Sequence, residues 1–161
     1  MPLRIETACE RDIPLILEFI RKLAEYERMS HRVSATEEDL SAALFGARPV
    51  AEVLLAFAES EPAGFAVYFP TFSTFAGRSG IYLEDVFVKP AHRRSGIGTA
   101  LLAAVAKLAI ERGGALSWSV LKWNQPAIDF YKRLGAVEVT EWGGYKLAGE
   151  ALERVAAVNS R

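Results

Sequence analysis

Arg93-Arg94-Ser95-Gly96-Ile97-Gly98-Thr99 is the stretch on which the fold turns. It stands between an apolar run, Ile81 to Val88, closed by Pro90, and an Ala/Leu-rich helical run from about Gly98 to Arg112 that Gly113-Gly114 stops. Glycine lacks a Cβ, so the backbone there can approach a ligand closely. Amide N–H groups at a helix N-terminus are unpaired, and the helix dipole adds positive potential. Strand, glycine turn and helix together can make a seat for a diphosphate; a tight turn with basic surface residues is the other reading. Lys89, Arg93 and Arg94 add local positive charge. A dinucleotide fingerprint needs a glycine three positions after Gly98, where Leu101 stands, and a Walker motif needs Gly-Lys-Ser/Thr, which is missing. The diphosphate is therefore not expected to be that of NAD or ATP.

Outward from the turn, strand-like and helix-like segments alternate nearly end to end. Leu3 to Ala8 reads as a short strand. Ile13, Ile16, Leu17, Ile20, Leu23 and Ala24 recur at helical spacing, with Asp12 and Pro14 at the start, and predict a helix ending near Met29. A second helix begins at Thr36, with Glu37, Glu38 and Asp39 in its first turn, where the macrodipole favours acids, and ends at Gly46 and Pro49. Val50 to Glu59 and Phe65 to Phe69 read as a hairpin around the turn from Ser60 to Gly64. Phe72 to Gly80 reads as a loop.

Downstream of the turn, Leu116 to Leu121 is a strand. Asn124 caps a helix through Leu134, with Gly135 as its C-terminal glycine. Val137 to Trp142 and Tyr145 to Leu147 read as a last hairpin around Gly143-Gly144, and Glu150 to Val158 as a helix. The expectation is an α/β fold (α+β mixed), with a central mixed sheet of about six or seven strands and helices on both faces. It is not the regular βαβ repeat of a Rossmann domain.

The 161 residues fit one domain, 1–161. A hydrophobic share of 51% and a charged share of 24% argue against disorder. The net charge of -1 supplies no basic field, so no nucleic-acid partner is expected. Cys9, the one cysteine, excludes an intrachain disulfide and suits a reducing, cytoplasmic setting. His31 and His92 lie far apart without a second ligand at metal spacing, so no metal is expected. The first six residues lack the apolar core of a signal peptide, and Leu101 to Ile110, interrupted by Lys107, is too short to span a bilayer.

Arg93-x-x-Gly96-x-Gly98 resembles the acetyl-CoA diphosphate turn of the GNAT superfamily of N-acetyltransferases. Three other blocks support the likeness: Tyr82-Leu83-Glu84-Asp85-Val86-Phe87-Val88 before the turn, the run from Trp123 to Ala136 after it, and Leu23 to Met29 near the start. In combination they resemble the spermidine/spermine and thialysine N-acetyltransferase branch, roughly from Ile5 to Tyr145. The resemblance implies the GNAT (acyl-CoA N-acyltransferase) fold with a mostly antiparallel sheet. It implies acetyl-CoA as co-substrate and direct transfer, in a ternary complex, to the primary amine of a diamine, polyamine or thialysine-like amino acid. It also implies a homodimer. The backbone of Val86, Phe87 and Val88 would hold the pantetheine arm. Arg93, Arg94, Ser95, Gly96, Ile97, Gly98 and Thr99 would surround the diphosphate, and Asn124 and Tyr131 would contact the cofactor.

Asn124, Ile128 and Tyr131, spaced i, i+4 and i+7, share one helix face. When an amine attacks a thioester a thiolate departs, and a phenol of pKa about 10 can give it a hydrogen at neutral pH. The resemblance implies that role for Tyr131; a core tyrosine is the other reading. Asn124 is equally a good N-cap, and the two roles are compatible.

Glu84 and Asp85 sit in mid-strand, where successive side chains point to opposite faces, so both reach one site only through a bulge. The resemblance implies such a bulge and assigns Glu84 to the substrate amine, as acceptor or as base through water; a structural ion pair is the alternative. Some such group is needed, because an amine of pKa about 10.4 is neutral about once in 2,500 molecules at pH 7. Tyr26 and Glu27 read as a solvated helix end or, by resemblance, as the substrate mouth.

The sequence departs from the family pattern in three places, one of them the turn Glu141-Trp142-Gly143-Gly144-Tyr145, whose glutamate is displaced. Ser73 replaces an aspartate that contacts polyamine, and Phe72 to Gly77 carry no acid. Arg94 stands where the branch has glycine, which asks for a negative φ or tolerated strain. Two further readings remain open: a protein or peptide N-acetyltransferase, and a CoA-binding sensor without turnover.

Overall fold

The computed structural model describes residues 2–158, in two compact units that part between Leu121 and Lys122. The first unit holds a five-stranded sheet of order β1-β2-β3-β4-β5. Its strands are β1 (Leu3–Thr7), β2 (Glu52–Ala58), β3 (Glu61–Ser73), β4 (Arg78–Val88) and β5 (Leu116–Trp118). The first four pair antiparallel and β5 joins β4 in parallel. Helices α1 (Ile13–Tyr26), α2 (Glu37–Phe45) and α3 (Ile97–Glu111) complete the unit.

The apolar stripe of α1 buries Ile16 and Phe19 against Phe65 and Phe87, with Phe19 stacked on Phe65 at 5.2 Å. Phe65 and Phe87 are register partners and so share a sheet face. Tyr68 points to the other face, where burial, and then the carboxylate of Glu52, push its phenol up to about 12. Arg112, at the end of α3, is ion-paired with that Glu52 at 2.9 Å. Helices thus cover both faces of the sheet, as expected. Thr36 caps α2 in a reciprocal box with Asp39, at 3.1 and 2.9 Å.

Several boundaries move for local reasons. Helix α1 ends at Tyr26 because Arg28 turns left-handed (φ 60°) and the Met29 N–H closes on the Ala24 carbonyl at 2.7 Å. The β2–β3 connection is tighter than expected: Glu59 and Ser60, both at positive φ, make the turn, and β3 begins at Glu61. Pro62 is tolerated in the strand because the register slips there. The expected loop over 72–80 shrinks to the turn from Thr74 to Gly77, since β3 and β4 pair out to Ser73 and Arg78. Strand β5 stops at Trp118, short of Leu121.

The second unit contains α4 (Gln125–Arg133) and α5 (Gly149–Ala156). The expected last hairpin is a correction: no strand occurs among the described residues of this unit, so the sheet has five strands, not six or seven. Val137, Trp142 and Tyr145 are 87%, 81% and 102% exposed, and an isolated hairpin is marginal in water. Among the described residues no helix is long and apolar enough to cross a membrane.

Candidate active site

Tyr68 pairs with Leu83 and Val67 with Asp85, which leaves Glu84 as an extra residue in β4. Leu83 and Asp85 oppose consecutive residues and therefore face opposite sides of the sheet. Glu84, next after Leu83, then falls on the same side as Asp85. The bulge thus does what the two adjacent acids required, and both carboxylates project from the α1 face. Glu27, one residue past α1, joins them. Burial, then Glu84, then Glu27 push Asp85 up to about 7. Burial, then Glu84, raise Glu27 as well. Three mutually repelling carboxylates form a place where a cation is favoured.

At the same point β4 parts from β5. Their pairing runs from Ile81 opposite Leu116 to Leu83 opposite Trp118 and stops. Past the bulge, Val86, Phe87 and Val88 have no strand on the β5 side among the described residues. That leaves a backbone edge suited to an extended, amide-bearing arm.

The glycine turn follows directly. Arg94 (φ 61°) and Gly96 (φ 82°) are left-handed, and alternation of this kind turns successive N–H groups into a concave nest. The Ser95 hydroxyl donates to the His92 carbonyl and braces the turn. Helix α3 makes its first backbone bond from the Ala100 N–H to the Gly96 carbonyl at 2.9 Å, so the amides of Ile97, Gly98 and Thr99 precede the ladder. A Cβ at Gly96 would meet nothing within 4 Å, and one at Gly98 only the Val88 Cγ2 at 3.8 Å. The space in front of this backbone is open, and the turn fits a diphosphate.

Arg93, expected at the phosphates, turns its side chain inward. Its Nε donates to the Val88 carbonyl at 2.9 Å, and its guanidinium lies 5.1 Å from the Tyr26 ring centroid and 5.6 Å from that of Phe87. It ties the turn to the end of α1. Arg94 meets the expected conflict by adopting positive φ. Arg94→Gly is expected to raise stability by up to about 1 kcal/mol, roughly 3 °C in Tm, readable by thermal unfolding. A fall in Tm would show that the arginine side chain contributes more than the strain costs.

Ser73 ends β3, exposed, and its Oγ accepts the Ala76 N–H at 3.2 Å, so it caps the hairpin turn. In the second unit, the Asn124 Oδ1 caps α4 by accepting the Ala127 N–H at 3.4 Å, and the residue is buried. Tyr131 sits in the last turn of α4, half-buried, with its ring 5.6 Å from that of Phe130. Gly135 (φ 87°) ends that helix as expected. Asp85 belongs with the site residues although sequence reasoning used it only to infer the bulge. The signal was a second acid inside an apolar strand. Among the described residues no cluster of three or more His, Cys, Asp or Glu is arranged to hold a metal ion.

The profile of the Acetyltransferase (GNAT) family matches residues 17–136. The chain is 42% identical to the thialysine N-epsilon-acetyltransferase of Sus scrofa, over 94% of this chain and 96% of that one. It is 31% identical to an L-ornithine N5-acetyltransferase of Arabidopsis thaliana, over 97% and 89%. Among solved structures, an integron cassette protein from the mobile metagenome of V. cholerae superposes with a TM-score of 0.80 at 27% identity, covering 98% of this chain and 99% of that one. Fold, turn and relatives agree: the chain belongs to the GNAT acetyltransferase family and is an N-acetyltransferase, transferring acetyl to an amine.

Proposed function

We propose that residues 1–161 act as one domain that transfers acetyl from acetyl-CoA to the primary amine of a small aliphatic amine, a diamine, polyamine or thialysine-like amino acid, in a ternary complex. The observation that carries this is the bulge at Glu84, which gathers Glu84, Asp85 and Glu27 beside the backbone edge of Val86 to Val88. The nest from Arg93 to Thr99 receives the diphosphate, and that edge receives the pantetheine arm. The carboxylates hold the ammonium, with Tyr26 and Glu27 at the mouth. Glu84 takes one proton from it, directly or through water. The freed nitrogen attacks the thioester carbon; the C–N bond forms and the C–S bond breaks. Tyr131 gives its hydroxyl proton to the departing thiolate, the acylated nitrogen releases its second proton, which returns the phenolate to the phenol, and Asn124 steadies the cofactor at the start of α4. The printed activities of the thialysine and ornithine relatives support a small-amine substrate.

The exposed apolar run from Val137 to Leu147 supports a homodimer in which a second copy covers it. A cytoplasmic setting agrees with the lone, unbridged Cys9. The test is release of free CoA from acetyl-CoA with a panel of lysine analogues, short diamines, spermidine and peptides. Small primary amines are expected to support release. Release with peptides alone, or none with any amine, overturns the reading.

A further inference from the structure

Two cations follow β4 directly, Lys89 and Arg93, and neither is ion-paired among the described residues. Both lie on aromatic rings instead. The Lys89 Nζ is 5.6 Å from the Phe19 ring centroid. The Arg93 guanidinium is 5.1 Å from the centroid of Tyr26 and 5.6 Å from that of Phe87, which in turn packs 6.3 Å from Phe19. The Lys89 N–H donates to the Ala63 carbonyl of β3 at 2.8 Å. Backbone groups of successive strand residues point to opposite sides, so the Val88 carbonyl faces away from β3. There it accepts the Arg93 Nε–H at 2.9 Å. Glu27, Glu84 and Asp85 likewise have no ion pair among the described residues. The cations beside the site are thus held on rings and off the carboxylates. None of the reaction steps uses the Arg93 side chain.

We propose that the Arg93 side chain is a positioning residue for the amine and not a phosphate ligand: it fastens Tyr26, at the end of α1, to β4, and so sets Glu27 beside Glu84 and Asp85 while its own charge stays on the rings. The proposal rests on the reading of those carboxylates as the amine anchor. Glu27 is the residue after Tyr26, so whatever fixes Tyr26 fixes Glu27. A guanidinium is planar and weakly hydrated, and it can lie on two rings while its Nε donates to a carbonyl. A lysine ammonium is a compact, strongly hydrated point charge without that fork. A cation loosened from the rings would be drawn to the free carboxylates and would compete with the substrate ammonium there. A nest holds anions by its backbone N–H groups, which the side chain at its first position does not supply. The two halves of Arg93 therefore serve the two substrates, the main chain the cofactor and the side chain the amine.

The test uses 1,4-diaminobutane as the amine, with steady-state acetylation, calorimetric binding of the diamine to the CoA-loaded protein, and calorimetric binding of acetyl-CoA. Arg93→Met keeps the bulk and removes the charge and the donor. It is expected to raise the KM and Kd of the diamine about ten-fold, with kcat and the Kd of acetyl-CoA within about two-fold of wild type. Arg93→Lys, which keeps a cation fit for a phosphate, is expected to recover only part of that loss. Tyr26→Leu is expected to weaken the diamine to a similar degree, and adding Arg93→Met to it should cost less than about two-fold more, because the two act through one contact. Unchanged diamine binding in Arg93→Met, a loss of acetyl-CoA affinity beyond two-fold, full recovery by lysine, or additive losses in the double variant overturns the proposal. Weaker diamine binding in Arg93→Met, beside a wild type that acetylates no amine, would uphold the role of Arg93 and overturn the proposed reaction instead.

Discussion

Tyr131→Phe is expected to lower kcat about 100-fold, close to 2.7 kcal/mol of transition-state stabilisation. The Kd for acetyl-CoA should stay within about two-fold, because the hydrogen given to the leaving sulfur acts in the transition state and not in cofactor binding. Phenylalanine keeps the ring beside Phe130 and keeps the helix from Gln125 to Arg133 intact. Steady-state turnover paired with calorimetric titration of acetyl-CoA reads both quantities. Unchanged turnover would remove Tyr131 from the mechanism. A large loss of cofactor affinity would recast it as a binding residue.

The second large effect concerns pH. Asp85 is held near pKa 7 in the folded protein, first by burial and then by Glu84 and Glu27, against an ordinary value of 3.8. An acid raised in this way favours folding most where it is protonated in both states, below pH about 4. Between about 4 and 7 the unfolded chain ionises freely and the folded chain does not, so stability falls; above 7 it levels off. The expected loss is about 2 to 4 kcal/mol. Asp85→Asn keeps the shape and removes the charge. Its stability should vary much less between pH 5 and pH 8, and at pH 8 it should exceed the wild type. Urea unfolding at the two pH values decides the matter. Parallel pH dependence in both proteins would show that Asp85 does not titrate in this range.

Both effects arise at features that were readable in the primary structure to different degrees. The turn from Arg93 to Thr99 was legible because glycine spacing and a following helix constrain the backbone locally. The bulge was legible through the family resemblance, which implied it at a place where two adjacent acids reach one site only if the pleat is interrupted. Hairpin lengths were not. Phe72 to Gly80 looked like a loop because serine, threonine and glycine are turn formers, yet pairing across the strands carried the ladder to Arg78. Val137 to Leu147 failed in the opposite sense. Alternating apolar residues around Gly143-Gly144 carry strand propensity, but propensity does not supply the neighbouring strand that would make burial favourable.

That bulge has a consequence for how such a protein can be improved. Residues on either side of Glu84 already stand in register with β3, so a chain one residue shorter would pair just as well. It would also be free of one of the three crowded charges. Robustness and activity therefore pull in opposite directions at a single codon, and selection for heat tolerance alone would tend to straighten the strand and leave an inert scaffold.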